Sequence, residues 1–436
     1  TKGACPIPYS AFYESRCVAA LEHALDSIPF YRPWKAKDPG PGTPIAERFA
    51  ALPILTKRDV RANVPRGFMD EEHARVPGFA TGEVEIVATS GTSEDRVSVV
   101  WHQPWWDRSE REAARIHPVL ARIFDAPHRE AVLTSPLCAG NLCHVGEASM
   151  AERTLGNLLF LNQSPDPGTW NGATARRMVD ELAAFRPDII EADPAYLARF
   201  GRLCRDAGMR PPVPACIVLT YEYPSRLHLR DIARAFPGVP VVSSYGSTET
   251  GHVFTQCAAG RFHENTATCR VDLQPLGGGA DPAVGRILVT TLDNPWFTLL
   301  RFDTGDLGRL SPGPCPCGRD DGIVLSAIEG RERDVTRAAD GRPVTVRRLD
   351  ESLADFAALD GYQVEQVGPC AYVAHVCLEG GDVHETERGI AAALAALYGA
   401  EASIEVRPEA AIAPEQSGKF RLARAAALPR VEERSA

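Results

Sequence analysis

Ser243-Ser-Tyr-Gly-Ser-Thr-Glu-Thr-Gly251 is the stretch on which the reading of this chain turns. It follows the apolar run 239–242, so a strand leads into an aromatic ring, a glycine and a group of hydroxyl and carboxylate side chains. That mixture packs poorly in a core. It suits a cleft where a ring stacks on a base, a hydroxyl meets a phosphate and a carboxylate holds Mg2+. A strand-to-helix turn capped by Ser247 or Thr248 is the structural alternative.

Upstream, short strand-like runs at 131–133, 189–190 and 215–219 alternate with helical patterns at 106–124 and 173–185. Such alternation predicts an α/β fold with a largely parallel sheet. Nearer the N-terminus, apolar residues at helical spacing predict a helix over 11–28, ending near Pro29. The Pro/Gly-rich stretch 33–53 is expected to be irregular, and Thr56 to cap a helix after it. β-rich runs at 84–88 and 97–101 flank a small polar loop, and 285–291 and 296–310 also read as β-rich. Beyond residue 330, strand candidates at 344–346, 362–367, 372–378 and 402–406 enclose helical stretches at 348–356 and 388–398. Two domains are therefore expected: a large N-terminal α/β domain over 1–331 and a small α+β domain over 332–436.

The bulk numbers exclude several classes. The 436 residues carry a net charge of -10 with no dense basic stretch, which argues against a nucleic-acid partner. No apolar run reaches the roughly 18 residues that span a bilayer, and no signal pattern opens the chain, so a cytoplasmic enzyme is expected. Twelve cysteines scattered over so long a chain read as reduced, buried thiols rather than as a disulfide framework.

Three further motifs accompany the first. Thr89-Ser90-Gly91-Thr92-Ser93 is either a plain hairpin turn or a loop whose amides and hydroxyls wrap phosphate oxygens. Arg301-Phe-Asp-Thr-Gly-Asp-Leu307 is either turn chemistry or a carboxylate placed to accept from both hydroxyls of a ribose. Ser417-Gly-Lys-Phe-Arg421 holds a lysine on a glycine-flanked loop, which in isolation reads as a solvated charge.

Taken in order, the four motifs resemble the adenylate-forming superfamily of acyl-CoA synthetases, peptide-synthetase adenylation domains and luciferases. Phe30-Tyr31, Leu52-Pro-Ile-Leu-Thr-Lys-Arg-Asp-Val-Arg61 and Cys315-Pro-Cys-Gly-Arg319 make phenylacetate-CoA ligase and its aryl-CoA ligase relatives the nearest likeness. The resemblance runs from about residue 11 to about residue 425 and implies roles residue by residue. Thr89 to Ser93 would form the phosphate loop, Tyr245 would stack on adenine and Thr248 would touch the α-phosphate. Glu249 would coordinate Mg2+, and Asp306 would hold the ribose, with Arg331 nearby. Tyr221, Glu222, Ser244, Gly246 and Ser247 would complete the nucleotide site. Lys419 would bridge carboxylate and α-phosphate, carried in by a C-terminal domain that turns on a hinge near Arg333.

The resemblance also implies ATP, a small carboxylic acid and coenzyme A as ligands, with a carrier protein or an amine as the alternative acceptor and a homodimer as the assembly. Asn141, His144 and Tyr221, with Gly246, would line the acid pocket and suit an amino- or hydroxy-substituted aryl acid. Glu94 stands where such loops have their second glycine and Asp95 follows it, and two acids beside a polyphosphate are repulsive. They leave open a non-catalytic binding protein. Cys257, His263, Cys315 and Cys317 offer three thiolates and an imidazole, the donor set of a closed, structural Zn2+ site, with His252 and Cys269 as reserve ligands.

Overall fold

The computed structural model describes residues 9–75, 77–89, 96–136, 146, 148–164, 166–277 and 279–425. The first helix, Ala11–Ser27, is capped by Ser10 and buries Tyr13, Cys17, Leu21, Ala24 and Leu25 along one stripe. The stretch expected to be irregular contains a helix, Ile45–Ala51, because Ile45 and Phe49 are buried and Arg48 is pinned to Asp38 at 2.7 Å. A 3-10 helix, Pro29–Lys37, also runs into this stretch with Pro33 inside it, so irregular chain is confined to the part between Lys37 and Ile45 and to the residues after Ala51. Thr56 caps Lys57–Asn63 as expected, in a reciprocal capping box with Asp59.

A twelve-stranded sheet organises the molecule. Its order is Cys269–Pro275, Val284–Thr291, Phe302–Leu310, Val324–Arg331, Phe262–Glu264, Gly251–Gln256, Val241–Ser247, Cys216–Leu219, Ile189–Ala192, Glu130–Leu133, Leu158–Phe160 and Thr154–Leu155. The fold is α/β, but the sheet is mixed rather than mostly parallel. Parallel pairing runs from Val241–Ser247 to Leu158–Phe160, and the strands from Gly251 onward pair antiparallel. The parallel half is covered on both faces, which is why its strands read as unbroken apolar runs. Ile190, Ala192, Ile217 and Leu219 pack against helices Gly172–Phe185 and Pro194–Asp206. Ile189, Cys216 and Val218 face the other way, towards Ala114, Leu120 and Phe124. Each fully buried Ile or Leu side chain among them contributes about 1.5–3 kcal/mol.

The single helix expected over 106–124 is two, Gln103–Ala114 and Pro118–Phe124. Pro118 has no amide hydrogen to continue the first, and opens the second instead. Helices Pro194–Asp206 and Arg226–Ala235 were not anticipated, although Asp193-Pro194 and Ser225 are good start signals.

The C-terminal part forms its own four-stranded sheet, ordered Ser403–Pro408, Ala371–Leu378, Leu359–Gly368, Ala423–Arg424, with helices Val346–Leu353 and Val383–Tyr398. The strand expected at 344–346 stops at Val344, because Thr345 caps the helix that Val346 begins. Its core includes Leu227 from the large sheet's side, with Tyr223 packed against it. No helix among the described residues is long and apolar enough to cross a membrane.

Candidate nucleotide and acid site

The opening motif forms the end of strand Val241–Ser247 and a turn at 248–250 leading into Gly251–Gln256, so it is a β-hairpin and not a strand-to-helix turn. Helix Gln103–Ala114 holds the hairpin in place. Ser109 Oγ accepts from the His252 amide at 3.0 Å, and Asn265 donates to the carbonyls of Ser109 and His252. A Cβ at Gly246 would lie 2.3 Å from the Gly251 carbonyl oxygen, so only glycine permits this crossing. Gly246→Ala is expected to cost about 1–3 kcal/mol through forced backbone shifts. Thermal unfolding checks it; an unchanged Tm would mean the hairpin relaxes freely.

Tyr245 points along the sheet to the third motif. Its hydroxyl donates to Asp306 Oδ2 at 2.9 Å and contacts Thr304 Oγ1 at 3.1 Å. Burial, reinforced by the Asp306 charge, pushes the Tyr245 hydroxyl well above its ordinary pKa. Asp306 pairs with Arg331 across adjacent strands, with Nε 3.5 Å from Oδ1. Tyr245, Asp306 and Arg331 therefore form one group. Ser247 Oγ meets Thr250 Oγ1 at 2.9 Å, and Ser244 Oγ lies 3.5 Å from His252 Nδ1. Thr248 lies in the turn. Glu249 is buried and, among the described residues, has no hydrogen bond or ion pair, leaving its carboxylate oxygens unspent.

Lys419 reaches the same region from the far end of the chain. Its Nζ donates to the Tyr221 carbonyl at 3.2 Å, and Tyr221 sits in the left-handed region at φ 71°. Next to it, the Phe420 amide donates to Glu222 Oε1 at 2.7 Å, and the Tyr196 hydroxyl donates to the Gly418 carbonyl at 2.9 Å. Burial pushes the Glu222 carboxyl well above its usual range; Asp193 adds to this, while Lys419 and Arg331 act against it. Asp193, the buried cap of helix Pro194–Asp206, is pushed up to about 7 by burial, against the pull of Lys419. Glu222, expected on the nucleotide, has Oε1 engaged by the backbone beside Lys419. Composition held a signal that the reading missed: Lys419 is the only lysine after Lys57.

Thr89 ends strand Glu85–Ala88, with its hydroxyl accepting from the Val97 amide at 3.0 Å. Ser90, Gly91, Thr92 and Ser93, with Glu94 and Asp95, lie outside the described residues, as do Asn141 and His144 of the acid pocket. The Tyr221 hydroxyl donates to Glu191, so its proton is engaged while its oxygen can still accept. Beneath it lies a group that sequence reasoning did not find. Carboxylate oxygens of Glu110, Glu130 and Glu191 gather within 4.8 Å of one another. Burial, then the neighbouring Glu191 charge, pushes Glu110 up to about 8, and burial pushes Glu191 up to about 7. The three come from a helix and two strands far apart in sequence, so no spacing reveals them.

The cysteine–histidine set does assemble. Cys257 Sγ lies 3.6 Å from Cys315 Sγ, Cys317 Sγ lies 3.3 Å from His263 Nε2, and all four donor atoms fall within 4.8 Å. Cys257 and His263 flank the turn between Gly251–Gln256 and Phe262–Glu264, and Cys315 and Cys317 lie in the loop before Val324–Arg331. Three sulfurs and one imidazole nitrogen suit tetrahedral Zn2+. The Nδ1 of His263 has no partner among the described residues. His252 and Cys269 are elsewhere: His252 packs on Trp106, and Cys269 Sγ contacts the Asn265 carbonyl at 3.4 Å.

Neither a family sequence model nor a curated protein sequence matches this chain. Solved structures do. A 2-hydroxyisobutyryl-CoA ligase in its postadenylation state, in complex with 2-HIB-AMP, superposes with a TM-score of 0.69 at 17% identity, over 95% of this chain and 88% of that one. The same ligase in its thioesterification state, with CoA, gives 0.54 at 17% identity, over 95% and 89%. The amide bond synthetase McbA from Marinactinospora thermotolerans gives 0.52 at 16% identity, over 78% and 67%. An anthranilate CoA ligase in complex with anthranoyl-AMP gives 0.50 at 14% identity, over 77% and 65%.

Proposed function

From a chain with the fold of the adenylate-forming ligases, we propose ATP-dependent activation of a small carboxylic acid as its acyl-adenylate, followed by transfer to the thiol of coenzyme A. The observation that carries this reading is the seat of Lys419, from the C-terminal loop, against the Tyr221 carbonyl beside Glu222, with Tyr245, Asp306 and Arg331 joined as one group on the large sheet. In the first half-reaction a carboxylate oxygen attacks the α-phosphorus, the bond to the β-phosphate oxygen breaks and pyrophosphate leaves. Two anions meet, so positive charge must be supplied where the transition state develops it. Lys419 supplies it from its seat against Tyr221, and Tyr245 and Asp306 orient the nucleoside. Asp306 is engaged by Tyr245 and Arg331, but a carboxylate has about four acceptor positions, which leaves room for ribose hydroxyls. Glu249 and Thr248 would hold Mg2+ and the α-phosphate; the ion neutralises phosphate charge when bound. Thr89 to Ser93 complete the phosphate contacts. In the second half-reaction a thiol sulfur attacks the acyl carbon and AMP departs.

We assign the acid as a small aryl acid bearing an amino or hydroxyl group, with Asn141, His144 and Gly246 lining its pocket. The division into domains at 331/332, with a hinge near Arg333, is part of the same reading, as is a structural Zn2+ on Cys257, His263, Cys315 and Cys317. ATP–pyrophosphate exchange across a panel of aryl and short hydroxy acids tests the activity. Exchange with at least one acid is expected; none with any acid would mean a protein that binds without turnover. Exchange without acyl-CoA product would move the acceptor to a carrier-protein thiol or an amine.

A further inference from the structure

Residues 222–226 join the large sheet to the C-terminal unit through two bonds of opposite sense. At one end, Glu222 accepts from the Phe420 amide at 2.7 Å. At the other, the Arg226 amide donates at 3.0 Å to Oδ2 of Asp350, a residue of helix Val346–Leu353 that is 1% exposed. Arg226 opens helix Arg226–Ala235, whose cap Ser225 accepts from His228, so the Arg226 amide is left for an external acceptor. A carboxylate there is also favoured by the helix dipole. Asp350 takes two more donors, Tyr362 at 2.9 Å from its own unit and Tyr223 at 3.4 Å from the other side. Each side thus presents a carboxylate to the other side's backbone. Gly418 completes the fit: at φ +82° it lies so close to Ser135 that a Cβ would fall 2.2 Å from the hydroxyl oxygen.

We propose that Glu222 and Asp350 are positioning residues forming a reciprocal latch, which holds the C-terminal unit against the large sheet and seats Lys419 at the cleft. Main-chain amides are read rather than side chains, so the latch works whatever the lysine itself contacts. It rests on the proposed role of Lys419 for its catalytic meaning, and on the two bonds alone for its existence. Amide bonds to carboxylates are among the stronger hydrogen bonds, and losing one shifts such an equilibrium roughly 10- to 100-fold.

Hydrogen–deuterium exchange on the full chain without ligand tests it. In the wild type, the Phe420 and Arg226 amides are expected to share one protection factor, the ratio of intrinsic to observed exchange rate, because one opening frees both. Glu222→Ala is expected to speed exchange roughly 10- to 100-fold at Phe420 and also at Arg226, and Asp350→Ala to do the same from the other end. Glu222→Gln and Asp350→Asn keep an acceptor oxygen and should restore most of the protection. Labelling of Lys419 by an amine reagent should quicken in step. Acceleration confined to the amide that lost its partner would overturn the latch. Should an alanine variant fail to fold, unequal wild-type protection factors at the two amides would overturn it as well. These readouts are independent of turnover: if pyrophosphate exchange survives Lys419→Ala, the lysine's role fails while the latch is still judged on exchange.

Discussion

Lys419→Ala is expected to lower ATP–pyrophosphate exchange by at least about 10²- to 10³-fold, the usual cost of deleting one charge-stabilising group from a transition state. The lysine is half-buried and, among the described residues, makes one hydrogen bond, to the Tyr221 carbonyl, while its charge acts on the buried carboxyls of Asp193 and Glu222. The variant is therefore expected to fold with a lowered Tm, because buried carboxyls lose their cation, and to lose adenylation even well below that Tm. Lys419→Arg is no restoration, because a planar guanidinium cannot take the place of a compact ammonium in this seat. Hydrolysis of preformed acyl-adenylate should be little affected, since the anion–anion encounter is then past. Full exchange activity in Lys419→Ala would remove the lysine from the reaction and, with it, the observation on which the functional reading rests.

Purified protein is expected to carry about one zinc per chain, held by Cys257, His263, Cys315 and Cys317. The donors pin a tight turn to a loop, and the two strands they flank, Phe262–Glu264 and Val324–Arg331, pair through two residues only. A cross-link at that point restrains a weakly paired sheet. A ligand bound to the folded chain alone stabilises it by mass action, about 2.7 kcal/mol at a hundredfold excess over Kd. Chelation should lower Tm by several degrees, and Cys315→Ser should lose both the zinc and the chelator's effect. Exchange activity at temperatures well below Tm should persist, because all four positions are filled by protein and none is left for substrate. Metal-free protein whose Tm ignores chelators would reject the site.

Helix Ala11–Ser27, the Thr56 cap and the parallel strands were legible in the sequence, whereas the grouping of Tyr245, Asp306 and Arg331 came only from the family resemblance. Their signals are local: apolar period, capping chemistry, and motifs whose residue types serve no core. The same local reading erred where distant chain intervened. Ile45–Ala51 is helical because a core formed elsewhere buries it, and the hairpin at 248–250 exists because Gly251–Gln256 returns to pair with the strand before it.

What the chain determined by itself was its inventory: an α/β scaffold, a nucleotide motif, a cysteine–histidine set and one isolated lysine near its end. Only the tertiary structure decided what that inventory meets. It brought four zinc-type donors within 4.8 Å, gathered Glu110, Glu130 and Glu191, and set Lys419 on Tyr221 with Glu222 and Asp350 bonding across the junction. The reason is physical. Periodicity and caps are energies between neighbours in sequence, whereas strand order, burial and charge pairing are settled between residues as much as 311 positions apart, where no spacing rule reaches.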